Sequence, residues 1–263
     1  MRLVEADLGE KHAKTGIWIG PQSDIHIGHP EYNGVMHQRE LDWLGDADNH
    51  YGILAGDMCE TAIIGSVGDV YDQVLPPQKQ ADQVIRQYSP YRAKLLGACG
   101  GNHEARVYRA TGFDPAMIYA SGLGIPYQAE GMLLRIRFGS SRGKASDKSP
   151  CSIYTLYFTH GWGAARTIGA KLKNVGDLAR VVNNCDIYIG GHNHQPGYYP
   201  MDAYEVDAGH GTVVRRTQHF ISLGSTLDYA GYAQVKGLTP TTMTFPKIWL
   251  GDTNHGRQIK VVF

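Results

Sequence analysis

The 263-residue sequence predicts an α/β fold. Three observations carry that expectation. Short apolar runs of strand length, such as Ile17-Trp18-Ile19 and Tyr51-Gly52-Ile53-Leu54-Ala55, lead into segments that carry glycine with aspartate or histidine. Stretches of helical spacing separate several of these runs, the strand–helix–strand order of a parallel sheet. From Tyr198 onward the pattern turns mostly to strands.

In chain order, residues 15–20 read as a strand that leads through Pro21-Gln22-Ser23 into Asp24-Ile25-His26-Ile27-Gly28-His29. Asp24 and His26 are two apart, so on an extended backbone they project to the same side. Residues 35–44 read as a helix burying Val35, Leu41 and Leu44, and 51–55 as a buried strand ending at Gly56-Asp57. That order suggests a βαβ unit, which is right-handed when its strands are parallel. Residues 60–77 read as loop. Val84, Ile85, Tyr88, Tyr91 and Leu95 then recur at helical spacing, with Pro90 kinking or dividing the helix.

The apolar run 93–99 precedes Gly101-Asn102-His103-Glu104, after which 105–111 and 113–122 read as helices. Residues 132–138 alternate and read as a half-buried strand. Residues 139–150, rich in Ser, Gly and Lys, read as a mobile hairpin tip, and 152–159 as the next strand, ending at His160-Gly161. Ile168, Leu172, Val175, Leu178 and Val182 mark an amphipathic helix over 164–182. A strand over 186–190 leads into Gly191-His192-Asn193-His194. Four more strands follow around 198–206, 212–222, 245–250 and 258–263. No repeat or compositional break divides the chain, so 1–263 reads as a single domain.

Composition narrows the classes. Hydrophobic residues at 42% support a sizeable core, and 25 Lys+Arg against 25 Asp+Glu argue against a generic polyanion-coating protein. Residues 1–14 carry charges throughout and lack the apolar core of a signal peptide. No window approaches the roughly 20 apolar residues of a membrane span. The four cysteines have no CxxC spacing and lie in or beside apolar stretches, the pattern of buried reduced thiols in a cytoplasmic protein.

Five stretches carry the chemistry: Asp24-Ile25-His26, Gly56-Asp57, Gly101-Asn102-His103-Glu104, His160-Gly161 and Gly191-His192-Asn193-His194. Each follows an expected strand, and α/β folds place ligand sites at such strand ends. Asp24, His26, Asp57, Asn102, His160, His192 and His194 supply the O and N donors that divalent cations take in hydrolytic sites. An aspartate between two such sites can bridge two metals with its two oxygens. A Gly-His-x-His alone arises by chance in roughly one such chain in ten, and Gly-Asn-His-Glu in about one in a thousand. The ordered set of five is far rarer.

This motif series resembles that of the calcineurin-like metallophosphoesterases and spans residues 24 to 194. The resemblance implies a four-layer αββα sandwich of two mixed β-sheets flanked by helices, with two divalent metal ions at the strand ends. It implies Asp24, His26 and His194 on the first metal, Asp57 as the bridge, and Asn102, His160 and His192 on the second. It also implies His103 facing the substrate as leaving-group acid, with Glu60 as its carboxylate partner. The protein-phosphatase branch continues with Arg-Gly after that acid, whereas here Thr61-Ala62 follows. The segment around Asp24 is more similar to small prokaryotic and phage phosphodiesterases and to a nuclease branch.

The expected activity is therefore phosphodiester hydrolysis by in-line attack of a metal-bridging hydroxide. The expected metal is Mn, with Fe, Zn, Co or Ni as alternatives, and the expected substrate a small phosphodiester or nucleotide. Asn102, His29, Trp162 and Arg106 are candidate substrate contacts. Tyr198, Tyr199, Tyr229 and Tyr232 are further aromatic candidates for a pocket wall. A nuclease is the alternative, with Lys171, Lys173, Arg215 and Arg216 supplying a basic groove for nucleic acid. A non-catalytic scaffold is the alternative of another class, and it should have lost ligands that this chain keeps. No membrane partner is expected, and no oligomeric state follows from the sequence.

Overall fold

The computed structural model describes residues 2–66, 70–139, 151–253 and 256–263. The side chains of 232 and 253 lie outside the description, as do residues 140–150 of the tip expected at 139–150. Twelve strands and six α-helices are present among the described residues. The strands are β1 (Leu3–Asp7), β2 (Ile17–Gln22), β3 (His50–Ala55), β4 (Leu95–Cys99), β5 (Tyr127–Gln128) and β6 (Met132–Phe138). Next come β7 (Ser152–Thr159), β8 (Ile187–Gly190), β9 (Gly197–Asp207), β10 (Thr212–Ser222), β11 (Lys247–Thr253) and β12 (Gly256–Val262). The helices are α1 (Gly34–Asp46), α2 (Pro77–Tyr88), α3 (Asn102–Thr111), α4 (Pro115–Leu123), α5 (Ile168–Gly176) and α6 (Gly231–Val235).

The strands form two mixed six-stranded sheets, ordered β1-β6-β7-β8-β10-β9 and β12-β11-β2-β3-β4-β5. β2, β3, β4 and β5 run parallel, as do β7, β8 and β10. The sheets meet over one apolar layer that includes Ile19, Ile53, Leu134, Leu156, Ile187, Ile221 and Leu250. Each such fully buried side chain stabilises by about 1.5–3 kcal/mol relative to exposure. On the outer face of the second sheet, α1, α2 and α4 bury Leu41, Leu44, Val84, Tyr88 and Tyr119. On the outer face of the first, α5 and the 3₁₀ turn behind it set Val175 and Leu178 against Tyr157, Tyr188 and Phe220. Helix, sheet, sheet, helix is the expected four-layer sandwich.

Local chemistry accounts for the helix ends near the site. Asn33 caps α1 by accepting from the Met36 N–H at 2.9 Å. Asp114 caps α4 with Pro115 at its first position, and Gly124 ends it in the left-handed region. Pro90 divides the 84–95 segment as expected: α2 stops at Tyr88, a 3₁₀ turn covers Ser89–Lys94, and Leu95 opens β4 instead of extending a helix.

Other expectations need correction. Val35 is 67% exposed, because it sits in the first turn on the solvent side of α1. The helix expected over 164–182 is confined to Ile168–Gly176, with a 3₁₀ turn over Asp177–Arg180, and Ile168 is exposed. Residues 164–167 stay outside it, since Gly163 has φ 115° and Thr167 caps the helix only from there. β1 was not anticipated. It is a short edge strand with alternate residues exposed, paired among the described residues with β6 alone.

All four cysteines are free thiols, three of them buried. Among the described residues no helix is long and apolar enough to cross a membrane.

Candidate metal centre

The loops after β2, β3, β4, β7 and β8 converge. Backbone bonds zip the first two together: Asp24 N–H to Gly56 O (3.1 Å), His26 N–H to Asp57 O (3.0 Å) and Ile27 N–H to Met58 O (2.9 Å). Ser225 and Thr226, behind β10, strap the same loop by donating their hydroxyls to the Asp24 and Ile25 carbonyls, each at 2.8 Å. Glycine permits the remaining contacts. A Cβ at Gly101 would overlap the Asp57 carboxylate and backbone nitrogen, and one at Gly191 would overlap the Ser23 hydroxyl.

Five of the seven expected metal ligands have left-handed backbone: Asp24 (φ 54°), His26 (54°), Asp57 (51°), His192 (68°) and His194 (50°). Only Thr61 and Asn184 share that feature among the other described non-glycine residues. Such conformations are uncommon outside glycine and cluster where a site over-determines the backbone. They also correct a point of the sequence reading. Asp24 and His26 do converge, but a left-handed bend at each residue brings them together, not the pleat of a strand.

Two ligand groups result, Asp24 with His26 and His194, and Asp57 with Asn102, His160 and His192. Asp24 Oδ1 lies 3.0 Å from His194 Nε2 and 4.0 Å from His26 Nε2, and the two imidazole nitrogens are 3.3 Å apart. Asp57 Oδ2 lies 3.0 Å from His160 Nε2, and Asn102 Oδ1 is 2.8 Å from both His160 Nε2 and His192 Nδ1. Either set of Asp and His atoms could hold a metal ion. The groups meet at Asp57 Oδ2, which is also 4.0 Å from His26 Nε2. Asp57 Oδ1 is occupied by the His103 N–H at 2.8 Å, so one oxygen faces both groups where two were expected. Asp24 divides its oxygens likewise: Oδ2 accepts from the Ser23 hydroxyl (2.6 Å) and the His192 N–H (3.0 Å). Oδ1 is buried without a hydrogen bond. Its 3.0 Å approach to His194 lacks hydrogen-bond geometry, as suits an oxygen placed to share a cation.

The outer nitrogens of three histidines are tied to acceptors. His26 Nδ1 faces Glu60 Oε2 (3.1 Å), His160 Nδ1 the Ala55 carbonyl (3.1 Å), and His192 Nε2 the Gly163 carbonyl (2.7 Å). An N–H donated outward leaves the inner nitrogen as a lone pair aimed at the carboxylate and amide oxygens. A centre built from lone pairs must be held by protons or by metal cations. Burial would push the His160 imidazole down, yet the Asp57 and Asp24 carboxylates override it and raise it to about 10. Burial likewise opposes His103, which Asp57 and Glu60 raise to about 9. Both aspartates are held low against their own burial, Asp24 by His194 and His160, Asp57 by His160 and His103.

His103 and Glu60 are brought together, with a difference. His103 Nδ1 lies 2.8 Å from both the Glu60 backbone carbonyl and Arg106 Nη2, and the Glu60 carboxylate is 3.3 Å away. That carboxylate is shared with His26 and with Arg106, whose guanidinium is 3.1 Å from Glu60 Oε1. Arg106 also donates to the Glu60 and Thr61 carbonyls. Its donors are thus engaged behind His103 and do not face the cluster, which places Arg106 as a brace where substrate contact was expected.

His29 sits beside His26, with ring centroids 6.3 Å apart, and lines an adjoining cleft of about 400 Å³ together with His192, His194 and Tyr229. Trp162 is 46% exposed and is not part of that wall, which its neighbours Gly163 to Arg166 form instead. Tyr198 stacks on His219 and Tyr199 on Phe220, so both belong to the packing of the sheet face.

Glu104 carries more weight than its sequence position suggested. Fully buried, it accepts the backbone N–H groups of Asp57, Cys59 and Gly101, each at 3.0 Å, and so fastens the β3 loop to the start of α3. Burial and the Asp57 charge push it up to about 7. Ser23, Ser225 and Thr226 were also missed. Ser23 had a signal, its place next to Asp24, whereas 225 and 226 had none. No protein-family model matches the chain, and no curated protein matches it.

Proposed function

We propose that the chain is a dinuclear metal-dependent phosphoesterase, a phosphodiesterase in preference to a protein phosphatase. The observation that carries this reading is the sharing of Asp57 Oδ2 by the two ligand groups, with His103 Nε2 at 3.8 Å from the same oxygen. Asp24, His26 and His194 would hold one cation, Asn102, His160 and His192 the other, and Asp57 both; Mn²⁺ is the metal of choice, with Fe, Zn, Co or Ni as alternatives. Cations held there would supply Lewis acidity toward phosphoryl oxygens and a nucleophile at neutral pH.

The chain's own residues do the rest. Glu60 fixes the His26 ring, and the Ala55 and Gly163 carbonyls fix His160 and His192, so the donors do not reorganise on ligand binding. The Glu60 carbonyl lies against His103 Nδ1, leaving Nε2 to face the cluster. A proton on Nε2 is then placed for the leaving oxygen of a phosphate ester. Lys173, Arg215 and Arg216, expected to line a nucleic-acid groove, instead pair with Asp177, Asp202 and Glu205. A small ester substrate fits that distribution better than a long strand.

Metal analysis joined to a panel of aryl phosphomonoester, aryl phosphodiester, cyclic nucleotide and nucleic acid tests the reading. Wild type should bind two metals and prefer the diester. Asp57→Asn should lose metal and more than about 100-fold in turnover, beyond the usual effect of an outer-sphere change, and His103→Ala should lose turnover while keeping metal. Equal activity of the three proteins would end the reading.

A further inference from the structure

The cleft beside the cluster has a composition that the metal centre does not require. His29, His192 and His194 form the wall it shares with that centre. Three cations, Arg166, Lys171 and Lys236, line it against two carboxylates, Glu31 and Asp228. Both carboxylates are engaged: Glu31 Oε2 lies 2.7 Å from His29 Nδ1, and Asp228 Oδ1 accepts from Asn33 Nδ2 at 2.9 Å. Among the described residues, Arg166 and Lys171 meet no carboxylate, whereas Lys173 on the same helix pairs with Asp177 at 2.6 Å. Lys171 is partly buried in the cleft, where an unpaired ammonium costs free energy. Leu227, Leu238 and Tyr229 supply apolar surface, and the Tyr229 hydroxyl is fixed by the Leu238 carbonyl at 2.8 Å.

We infer that this cleft is a subsite for a second phosphate group, and that the substrate is a nucleotide-class ester carrying two phosphates. One phosphate would lie at the metal centre and the other against Arg166 and Lys171, with the sugar and base on Leu227, Leu238 and Tyr229. This rests on the reading of the adjoining cluster as a phosphoryl-transfer centre. The Arg166 fork matches two phosphate oxygens, and Lys171 adds a point charge in a partly desolvated wall, where it acts most strongly.

Two readouts test it. The first is calorimetric binding of thymidine 3′,5′-bisphosphate and thymidine 5′-monophosphate to the Mn²⁺-loaded His103→Ala protein. The bisphosphate should bind at least about tenfold tighter, as one or two charge-assisted contacts provide. That advantage should vanish when Arg166→Ala and Lys171→Ala are added, and survive Lys171→Arg. The second is the ratio of kcat/KM for thymidine 5′-(4-nitrophenyl phosphate) with and without a 3′-phosphate, which should fall toward one in the same double variant. Equal affinity for the two nucleotides, or an advantage kept by the double variant, overturns the subsite. Turnover of both esters at equal kcat/KM overturns it too and leaves the hydrolase reading intact. Failure of wild type to turn over either ester, with the binding advantage present, supports the subsite and removes the hydrolase reading.

Discussion

Glu60→Gln probes the tie between the candidate metal ligands and His103, the proposed leaving-group acid. Glu60 is 4% exposed, and its carboxylate touches three cationic or potentially cationic groups. Oε2 lies 3.1 Å from His26 Nδ1 and 3.3 Å from His103 Nδ1, and Oε1 lies 3.1 Å from Arg106. Burial would raise this carboxyl, but the hydrogen bonds from His103 and His26 hold it well below the usual range. Glutamine keeps the shape and surrenders the charge. Only one of its two termini accepts, so its NH₂ must face either the imidazole N–H groups or the guanidinium, donor against donor. Losing a charged hydrogen bond costs about 1.5–3 kcal/mol, and changing the outer partner of a metal-binding histidine typically costs about 10–100-fold in affinity or activity. The expected result is a kcat/KM on bis(4-nitrophenyl) phosphate lowered about 10–100-fold, which is about 1.4–2.7 kcal/mol of transition-state stabilisation. Metal affinity should fall in parallel, read by titration with Mn²⁺ and by metal content after dialysis. Turnover within about twofold of wild type, with both metals retained, would refute the positioning role.

Two further predictions concern stability. Glu104→Gln leaves one acceptor for three buried N–H groups and sets its own NH₂ among them, so urea unfolding should show a loss of about 1–3 kcal/mol; an unchanged midpoint would show that the Asp57 loop does not depend on this brace. His37 is buried between the hydroxyls of Tyr32 (2.7 Å) and Tyr88 (2.8 Å), and burial pushes it from 6.5 down to about 4. The unfolded chain therefore takes up a proton at a pH where the folded one resists it. The contribution is fully present above pH 6.5 and is lost as pH falls toward 4, about 3 kcal/mol in all. His37→Gln should flatten unfolding free energy across that window, and an equally steep pH dependence in wild type and variant would refute the assignment.

Much of the fold was legible because its signals are local. Alternation over Met132–Phe138, the unbroken apolar runs of the parallel strands, and Pro90 each act within a few residues. Elements that owe their state to distant partners were read less well. β1 exists only because β6 offers it an edge. The helix at 168–176 starts late, after an extended Thr167 that caps it, while Gly163 before it meets His192, a residue 29 positions away. The substrate contacts behaved in the same way: Arg106 looked available from its position after His103, and only the loop carrying Glu60 and Thr61 reveals that its donors are taken.

The sequence by itself determined the inventory of candidate ligands, its order, and the strand ends that carry it, since donor chemistry and strand periodicity are properties of residue types and short spacings. Tertiary structure decided the rest: which aspartate oxygen faces inward, which histidine nitrogen is left as a lone pair, and which arginine is spent on the protein itself. Those choices depend on hydrogen-bond partners that arrive from loops tens to hundreds of residues apart. They also require left-handed backbone at Asp24, His26, Asp57, His192 and His194, which no local propensity favours and which the converging loops impose together.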